Sequence, residues 1–187
     1  MIRYLACLLG LVLCGVSVAQ AQAVYEKPMY DPVSKSYFEL VRVTAAQQDA
    51  HKVGMIPETS WDKAARFAAG RAYKGTKGRL AIIKSRETHE FILINLKPDR
   101  PAFIGLRYFC KLKQLRWIND EVHPANGFAA WAERWDQGDV KLCLAGQGTS
   151  NWMGVNYTGV RDGFRWVARG DRKNWPLYIV EYPTGAP

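Results

Sequence analysis

One long segment, residues 119–163, constrains the fold of this chain more than any other. It shows neither helical nor strand periodicity and is rich in glycine, asparagine and aspartate. A connection of about 45 residues without regular structure is unusual in a compact domain, and such loops are commonly functional or disordered. Tryptophans within the segment and at its borders favour order, so the sequence predicts a long ordered loop.

Two helices are predicted before this segment, and Thr59 or Ser60 caps the first of them. The apolar residues of the first helix, which recur at helical spacing, are Trp61, Ala64, Ala65, Ala68 and Ala72. Ser85 caps the second helix, with Glu87 favourably placed in its first turn. Its apolar face is formed by Phe91, Ile92 and Leu96. His89 is predicted to lie on the polar side of this second helix, in solvent.

Short strands account for most of the remaining regular structure. The predicted strands are 35–43, 80–83, 102–106, 115–118, 164–168 and 177–182. Trp117 and Trp166 lie inside two of these strands and are expected in the core. Two helices with a set of strands predict an α+β domain, and a content of 48% apolar residues suits one globular core.

The first 23 residues have the pattern of a secretory signal peptide. Arg3 supplies a positive start, residues 5–18 are apolar but too short to span a membrane, and small residues at 19, 21 and 23 provide cleavage sites. We therefore expect a secreted or periplasmic protein without a transmembrane anchor; an uncleaved anchor is the alternative. The chain then divides into the signal peptide (1–23), a lead (24–34), the domain (35–183) and a tail (184–187).

Few residues of this chain suggest covalent, metal or nucleotide chemistry. Removal of the leader leaves two cysteines, Cys110 and Cys143, which favours one disulfide in an exported chain; two free buried thiols are the alternative. No Cys-x-x-Cys or His-Glu-x-x-His motif occurs, so a zinc site has little to build on. No phosphate-binding glycine motif and no Gly-x-Ser-x-Gly elbow occurs either, and no enzyme is predicted.

Four stretches follow one another in the order and spacing of one known family. They are SWDKAARFAAGRAYKGTKGRLAIIKSRETHEFI (60–92), AFIGL (102–106), LRWINDE (115–121) and FRWVARGDRKNWPLYIVEYP (164–183). Together they resemble a C-type lectin-like domain over residues 35–183, in the form common in bacterial members. The resemblance implies an α+β fold with two helices packed on small antiparallel sheets, a long loop region, and paired N- and C-terminal strands.

The same resemblance implies a secreted, non-enzymatic binding module. Its ligand would be a glycan or another protein, held by the long loop region 107–163. Exposed aromatic rings suit the faces of sugars, and Trp135 and Trp152 are the best candidates for this contact. The alternative for each of these tryptophans is core packing. The acidic residues predicted to share the site are Glu133, Asp136 and Asp139.

Many members of this family bind sugars through calcium, which takes about six to eight oxygen ligands. They carry Glu-Pro-Asn or Gln-Pro-Asp in the long loop and Trp-Asn-Asp in a later strand, whereas here 132–137 holds no proline and Trp166 precedes Val167 and Ala168. We therefore expect neither this calcium-dependent sugar site nor a cofactor. A different cation site is the alternative. Its candidate ligands are Glu133, Asp136 and Asp139, and more remotely Asp162, Asp171 and Asn174.

A formal net charge of +9, or +8 once the leader with Arg3 is removed, indicates a second mode of binding. The first basic cluster is Lys74, Lys77 and Arg79, and the second is Arg107, Lys111, Lys113 and Arg116. Tyr108 and Phe109 are interleaved with the second cluster. Such clusters favour polyanions, so an anionic envelope polysaccharide or lipopolysaccharide is the alternative ligand, and a solvated basic face is the other interpretation. Export makes a nucleic-acid partner unexpected.

Overall fold

The computed structural model describes residues 27–48, 56–132, 152–170 and 173–187. Two α-helices lie in these ranges, α1 (Trp61–Ala69) and α2 (Arg86–Asn95). The strands are β1 (Met29–Asp31), β2 (Ser36–Arg42), β3 (Thr59–Ser60), β4 (Ala72–Tyr73), β5 (Thr76–Lys77), β6 (Arg79–Leu80), β7 (Ala102–Phe109), β8 (Gln114–Trp117), β9 (Trp152–Tyr157), β10 (Trp166–Gly170), β11 (Asn174–Trp175) and β12 (Leu177–Tyr182). Neither helix of the described ranges is long and apolar enough to cross a membrane. The predicted leader lies outside them.

Eight of these strands join in one sheet, which confirms the α+β prediction. The sheet runs β1-β2-β12-β7-β9-β10, with β6 added to β12 and β8 added to β7. All of its pairs are antiparallel except β7 with β12, and β3–β11 and β4–β5 form two small separate sheets. The predicted pairing of N- and C-terminal strands is confirmed, because β2 lies beside β12 from Tyr37↔Tyr182 to Arg42↔Leu177. A short strand, β1, precedes this pair in the region predicted as a lead.

The segment predicted as a long loop contains a strand of the main sheet. Residues 152–157 form β9, between β7 and β10, so for these residues the loop prediction was wrong. Met153, Val155 and Tyr157 alternate along the strand and are all buried in the main core cluster. That alternation is a strand signal, and the glycine and asparagine between the apolar residues obscured it. Trp152, which lies within the predicted ligand region, is the first residue of this strand.

The helix starts follow the sequence more closely than the helix ends. Ser85 caps α2 as predicted, because its hydroxyl accepts a hydrogen bond from the Thr88 amide at 3.1 Å. Helix α1 ends at Ala69, so the prediction that Ala72 continues its apolar face was wrong. Ala72 is exposed in β4, which turns back at once through Lys74 and Gly75, both with positive φ.

His89 is buried, and the prediction that it lies in solvent was wrong. Its ring is 8% exposed, and Nδ1 lies 2.8 Å from the Tyr157 hydroxyl. The spacing from His89 to Ile92 and Leu96 is helical, so His89 shares the apolar face of α2. Burial, with the charges of Arg165 and Arg86 added, lowers the pKa of His89 to about 4. The histidine is therefore a neutral core residue at physiological pH.

The core tryptophans lie where the sequence predicts them. Trp117 and Trp166 are fully buried, with ring centroids 6.1 Å apart and planes nearly perpendicular. Trp131 packs edge-on against Trp166 at 5.9 Å, and the amide of Ala132 donates to the Trp166 carbonyl at 3.0 Å. These contacts hold the first part of the long loop, as far as residue 132, against β10.

Candidate functional site

A cation–aromatic cluster, formed by Trp61, Arg107, Phe109 and Trp152, lies where α1 packs against β7 and β9. Arg107 and Phe109 are two residues apart on β7, so their side chains share one face of the sheet. Phe109 is paired across the strands with Trp152, and Arg107 with Gly154. The cluster thus collects aromatic rings from a helix and two strands around one guanidinium group.

Trp61 is held rigidly at the base of this cluster. It is 2% exposed, and its Nε1 donates to the carbonyl of Ile104 at 2.8 Å. The pairing of β7 with β9 shifts register between Phe103 and Arg107. Gly154 makes room for the indole, because a Cβ at that position would lie 2.7 Å from Trp61 Cδ1. The Trp61 ring is therefore a fixed platform for Arg107 and Trp152.

Arg107 lies among three rings and has little charge compensation. Its guanidinium carbon is 4.8 Å from the Trp61 ring centroid, 5.0 Å from Phe109 and 5.6 Å from Trp152. Its side chain is 19% exposed, and its buried Nε has no hydrogen-bond partner among the described residues. In the same ranges, a carboxylate oxygen of Asp120, which is 79% exposed, lies 3.8 Å from Nη2. Burial lowers the pKa of Arg107, because partial desolvation disfavours the cation.

Trp152 packs in the core and is also partly exposed, and its predicted ligand contact stays a prediction. Its ring packs edge-on against Trp61 at 5.5 Å, which is core packing. The residue is nevertheless only partly buried, and it stands at the border of the segment 133–151. The other predicted ligand contacts, Glu133, Trp135, Asp136 and Asp139, lie outside the described residues and stay predictions. Cys110 is partly buried just after β7, and its predicted pairing with Cys143 stays a prediction because Cys143 lies outside them too.

Within the described ranges, no three His, Cys, Asp or Glu side chains come together as a metal site. Val167 and Ala168 are buried in β10 and offer no side-chain oxygen. Asp162 ends a short 3-10 turn, Asn174 lies in β11, and the third remote candidate, Asp171, is outside the described residues.

The first basic cluster is only partly available to a ligand. Arg79 donates from Nε and Nη2 to the two oxygens of Glu181, each at 3.1 Å, so a buried carboxylate already neutralises its charge. The Lys74 ammonium lies 5.0 Å from the Tyr37 ring centroid, at the surface. Lys77 is exposed. Lys74 and Lys77, both on the hairpin of β4 and β5, therefore remain as a small positively charged surface.

The second basic cluster surrounds the hairpin between β7 and β8. Lys111 and Lys113 are exposed in the turn, while Arg107 belongs to the cation–aromatic cluster. Arg116 is partly buried and donates to Gln114 at 2.8 Å. Tyr108 is 2% exposed and lies in the core, because alternation along β7 sends it to the face opposite Arg107. The two exposed lysines therefore lie on the same hairpin as the aromatic cluster.

Comparisons with known structures agree with this architecture. The carbohydrate-recognition domain of cow CD23, solved in the presence of a GlcNAc2Man3 oligosaccharide, is 19% identical, with a TM-score of 0.53 over 79% of this chain and 87% of that one. SPL-1 in complex with GlcNAc is 15% identical, with a TM-score of 0.53 over 80% of this chain and 88% of SPL-1. The carbohydrate-recognition domain of the human scavenger receptor C-type lectin is 12% identical, with a TM-score of 0.52 over 77% of this chain and 89% of that domain. No protein-family model and no curated protein matches this sequence. The chain has a C-type lectin-like fold, as its motifs predict.

Sequence reasoning named Arg107 and Trp152 but assigned them to separate sites. Arg107 was grouped with lysines as a polyanion contact, and Trp152 with the long loop. The structure joins them through Trp61, which the sequence marked only as the start of a helix. The one available signal was Phe109, two residues after Arg107, since that spacing places a ring and a cation on one face of a strand.

Proposed function

We propose that this chain is an exported, non-enzymatic glycan-binding domain, and that Trp152 is part of its sugar-contacting surface. The observation that carries the proposal is the partly exposed Trp152 ring, held edge-on by Trp61 and flanked by the Arg107 guanidinium. A fixed aromatic face binds the apolar face of a sugar ring at little entropic cost, because the ring is already ordered before the ligand arrives.

The structural neighbours support the same class of ligand. Two of them are described with a GlcNAc-containing oligosaccharide or with GlcNAc. Their identity to this chain is low, so the ligand is inferred here from the aromatic surface and the shared fold together. A protein ligand on the same surface is the other outcome of a binding screen.

Replacing Trp152 with alanine is expected to weaken glycan binding at least about 10-fold, because a tryptophan anchor is typically worth about 2 kcal/mol or more in binding. Trp175→Ala is the matched control. Trp175 is also a partly buried tryptophan on the same core cluster, but it lies in β11, and its ring is not one of the three that surround Arg107. Calorimetry on the best glycan from an array measures affinity, and thermal unfolding measures stability.

The two variants are expected to lose similar stability, with binding lost only in Trp152→Ala. Equal affinities for the two variants would contradict the assignment of Trp152 to the binding surface. A large fall in melting temperature with binding retained would make Trp152 a packing residue alone.

The hairpin lysines favour a second candidate function, the binding of an anionic envelope polysaccharide. Lys111 and Lys113 are exposed in the turn of the hairpin that carries Arg107, and the net charge of the chain is strongly positive. Binding through such charges depends on ion release and weakens steeply with salt. Because Arg79 is already paired with Glu181, this candidate now rests on the hairpin, with Lys74 and Lys77 as a minor contribution.

Glycan binding is expected to survive removal of calcium. Val167 and Ala168 replace the ligand positions of the calcium-dependent members that the sequence resembles, and both are buried. A glycan array run first in calcium and then in chelator tests this expectation. Binding that disappears in chelator would contradict it and place a rebuilt cation site at Glu133, Asp136 and Asp139. Binding that survives chelator but fades in high salt would favour the polyanion candidate.

A further inference from the structure

Arg107 is a cation whose burial is incompletely compensated by the residues around it. Three aromatic rings surround the guanidinium, and its buried Nε donates to no acceptor among the described residues. The carboxylates that act on it, Asp120 and Asp62, are both exposed. The contact with Asp120, at 3.8 Å, is longer than a hydrogen bond. Because Nε is closed to solvent, a ligand would meet the Nη groups, and a stronger acceptor there would be favourable for a partly buried cation.

The geometry of the guanidinium selects the kind of acceptor. Its planar fork matches the two oxygens of a carboxylate, and charge-assisted pairs of this type are roughly twice as strong as neutral hydrogen bonds. The Arg107 guanidinium carbon lies over one face of the partly exposed Trp152 ring, 5.6 Å from its centroid, so a sugar that contacts the exposed part of Trp152 lies next to Arg107. We propose that Arg107 gives this domain selectivity for glycans that carry a carboxylate, as uronic acids do. This inference rests on the proposed glycan-binding function and names the ligand class of that site.

Asp120 then acts as the competing carboxylate of the site. It lies in the turn after β8, 3.8 Å from Arg107 Nη2, and would repel an incoming carboxylate. Its neighbour Glu121 pairs instead with Lys84, whose ammonium lies 2.6 Å and 2.7 Å from the two carboxylate oxygens. Two adjacent exposed carboxylates therefore have different cations beside them, Arg107 for Asp120 and Lys84 for Glu121. They form a natural pair of test and control.

Asp120→Asn is expected to raise the affinity for uronic-acid oligosaccharides about 3-fold, whereas Glu121→Gln leaves it unchanged. Asp120 is exposed with φ 63°, a conformation that asparagine also adopts readily, so the substitution preserves the turn. Each variant removes one negative charge from the same turn. A diffuse electrostatic mode would therefore raise both affinities equally, and that result would overturn the proposal.

The direct test compares acidic and neutral forms of the same sugars. Oligogalacturonate, oligoglucuronate and alginate oligomers are printed beside their carboxyl-reduced forms, with sulfated and neutral GlcNAc-containing glycans on the same array. Wild type is expected to bind at least one acidic form about 10-fold more tightly than its reduced partner. Arg107→Lys keeps the charge but loses the planar fork, so the ratio of affinities for the acidic and the reduced form is expected to fall to about 1.

Each remaining outcome is decisive. Equal binding of acidic and reduced forms, or binding of neutral glycans alone, overturns the carboxylate selectivity and leaves the glycan-binding function standing. Tighter binding of sulfated glycans than of uronic acids overturns the choice of carboxylate. An array without any bound glycan refutes the proposed function itself, and the selectivity with it.

Discussion

Replacing Arg71 with leucine is expected to lower the free energy of unfolding by about 3 kcal/mol, because it leaves a buried carboxylate without its cation. Glu39 is 4% exposed in β2, and Arg71 Nε donates to it at 3.1 Å while Nη2 bonds its other oxygen. Tyr182 also donates to Glu39, and burial together with this bond raises the pKa of Tyr182 to about 12. Tyr182 alone cannot balance a full negative charge in the core.

Arg42→Leu is the matched control for this substitution. Arg42 also pairs with a carboxylate, since its Nη2 lies 2.9 Å and 3.0 Å from the two oxygens of Asp99, but both residues are about half exposed. Exposed pairs contribute about 1 kcal/mol or less, so Arg42→Leu should change stability little. Urea unfolding measures both variants. Similar losses in the two would show that Glu39 is solvated in the folded protein, contrary to the structure.

Adding Glu39→Gln to the Arg71→Leu variant separates charge from packing. Glutamine has the shape of glutamate without its charge, so it is expected to recover part of the lost stability. If the double variant is no more stable than Arg71→Leu alone, the loss came from the packing of the arginine stem and not from the stranded carboxylate.

Local signals predicted the regular elements of this fold well. The Ser85 cap, the spacing of α1 from Trp61 to Ala68 and the apolar strand β12 all depend on residues close in sequence, and each lies where its pattern placed it. Strand β9 was missed because glycine and asparagine alternate with its buried residues and resemble loop composition. That composition has a packing reason, since Gly154 lies against Trp61 and leaves no room for a side chain.

The candidate site was less predictable, because its residues act through partners far away in the chain. Arg107 becomes unusual only when α1 brings Trp61 beneath it and β9 brings Trp152 beside it. From sequence, an arginine near two lysines looks like part of a charged surface. The burial of a tryptophan is equally hard to predict, since Trp152 is partly buried and packs edge-on against Trp61, far away in the sequence.

The folded protein is expected to lose up to about 3 kcal/mol of stability between pH 6.5 and pH 4, through His89 alone. Its pKa is about 4 in the folded protein, against about 6.5 for an unperturbed histidine. Well above pH 6.5 the histidine is neutral in both the folded and unfolded states, so it does not affect how the free energy of unfolding changes with pH. As the pH falls below 6.5, His89 becomes protonated in the unfolded chain, whereas in the folded protein it stays neutral until about pH 4. Protonation therefore increasingly favours unfolding.

Burial explains why protonation of His89 is unfavourable in the fold, and the positive charges of Arg165 and Arg86 add to this effect. Burial also raises the pKa of Tyr157, so its hydroxyl stays protonated and shares a hydrogen bond of 2.8 Å with His89 Nδ1. His89→Gln removes the titration, so the difference in unfolding free energy between wild type and the variant should narrow from pH 7 to pH 4. Burial also lowers the pKa of His123, so His123→Gln is expected to show a narrowing of the same sign. A constant difference between wild type and His89→Gln over this range would show that His89 does not titrate as a buried neutral group.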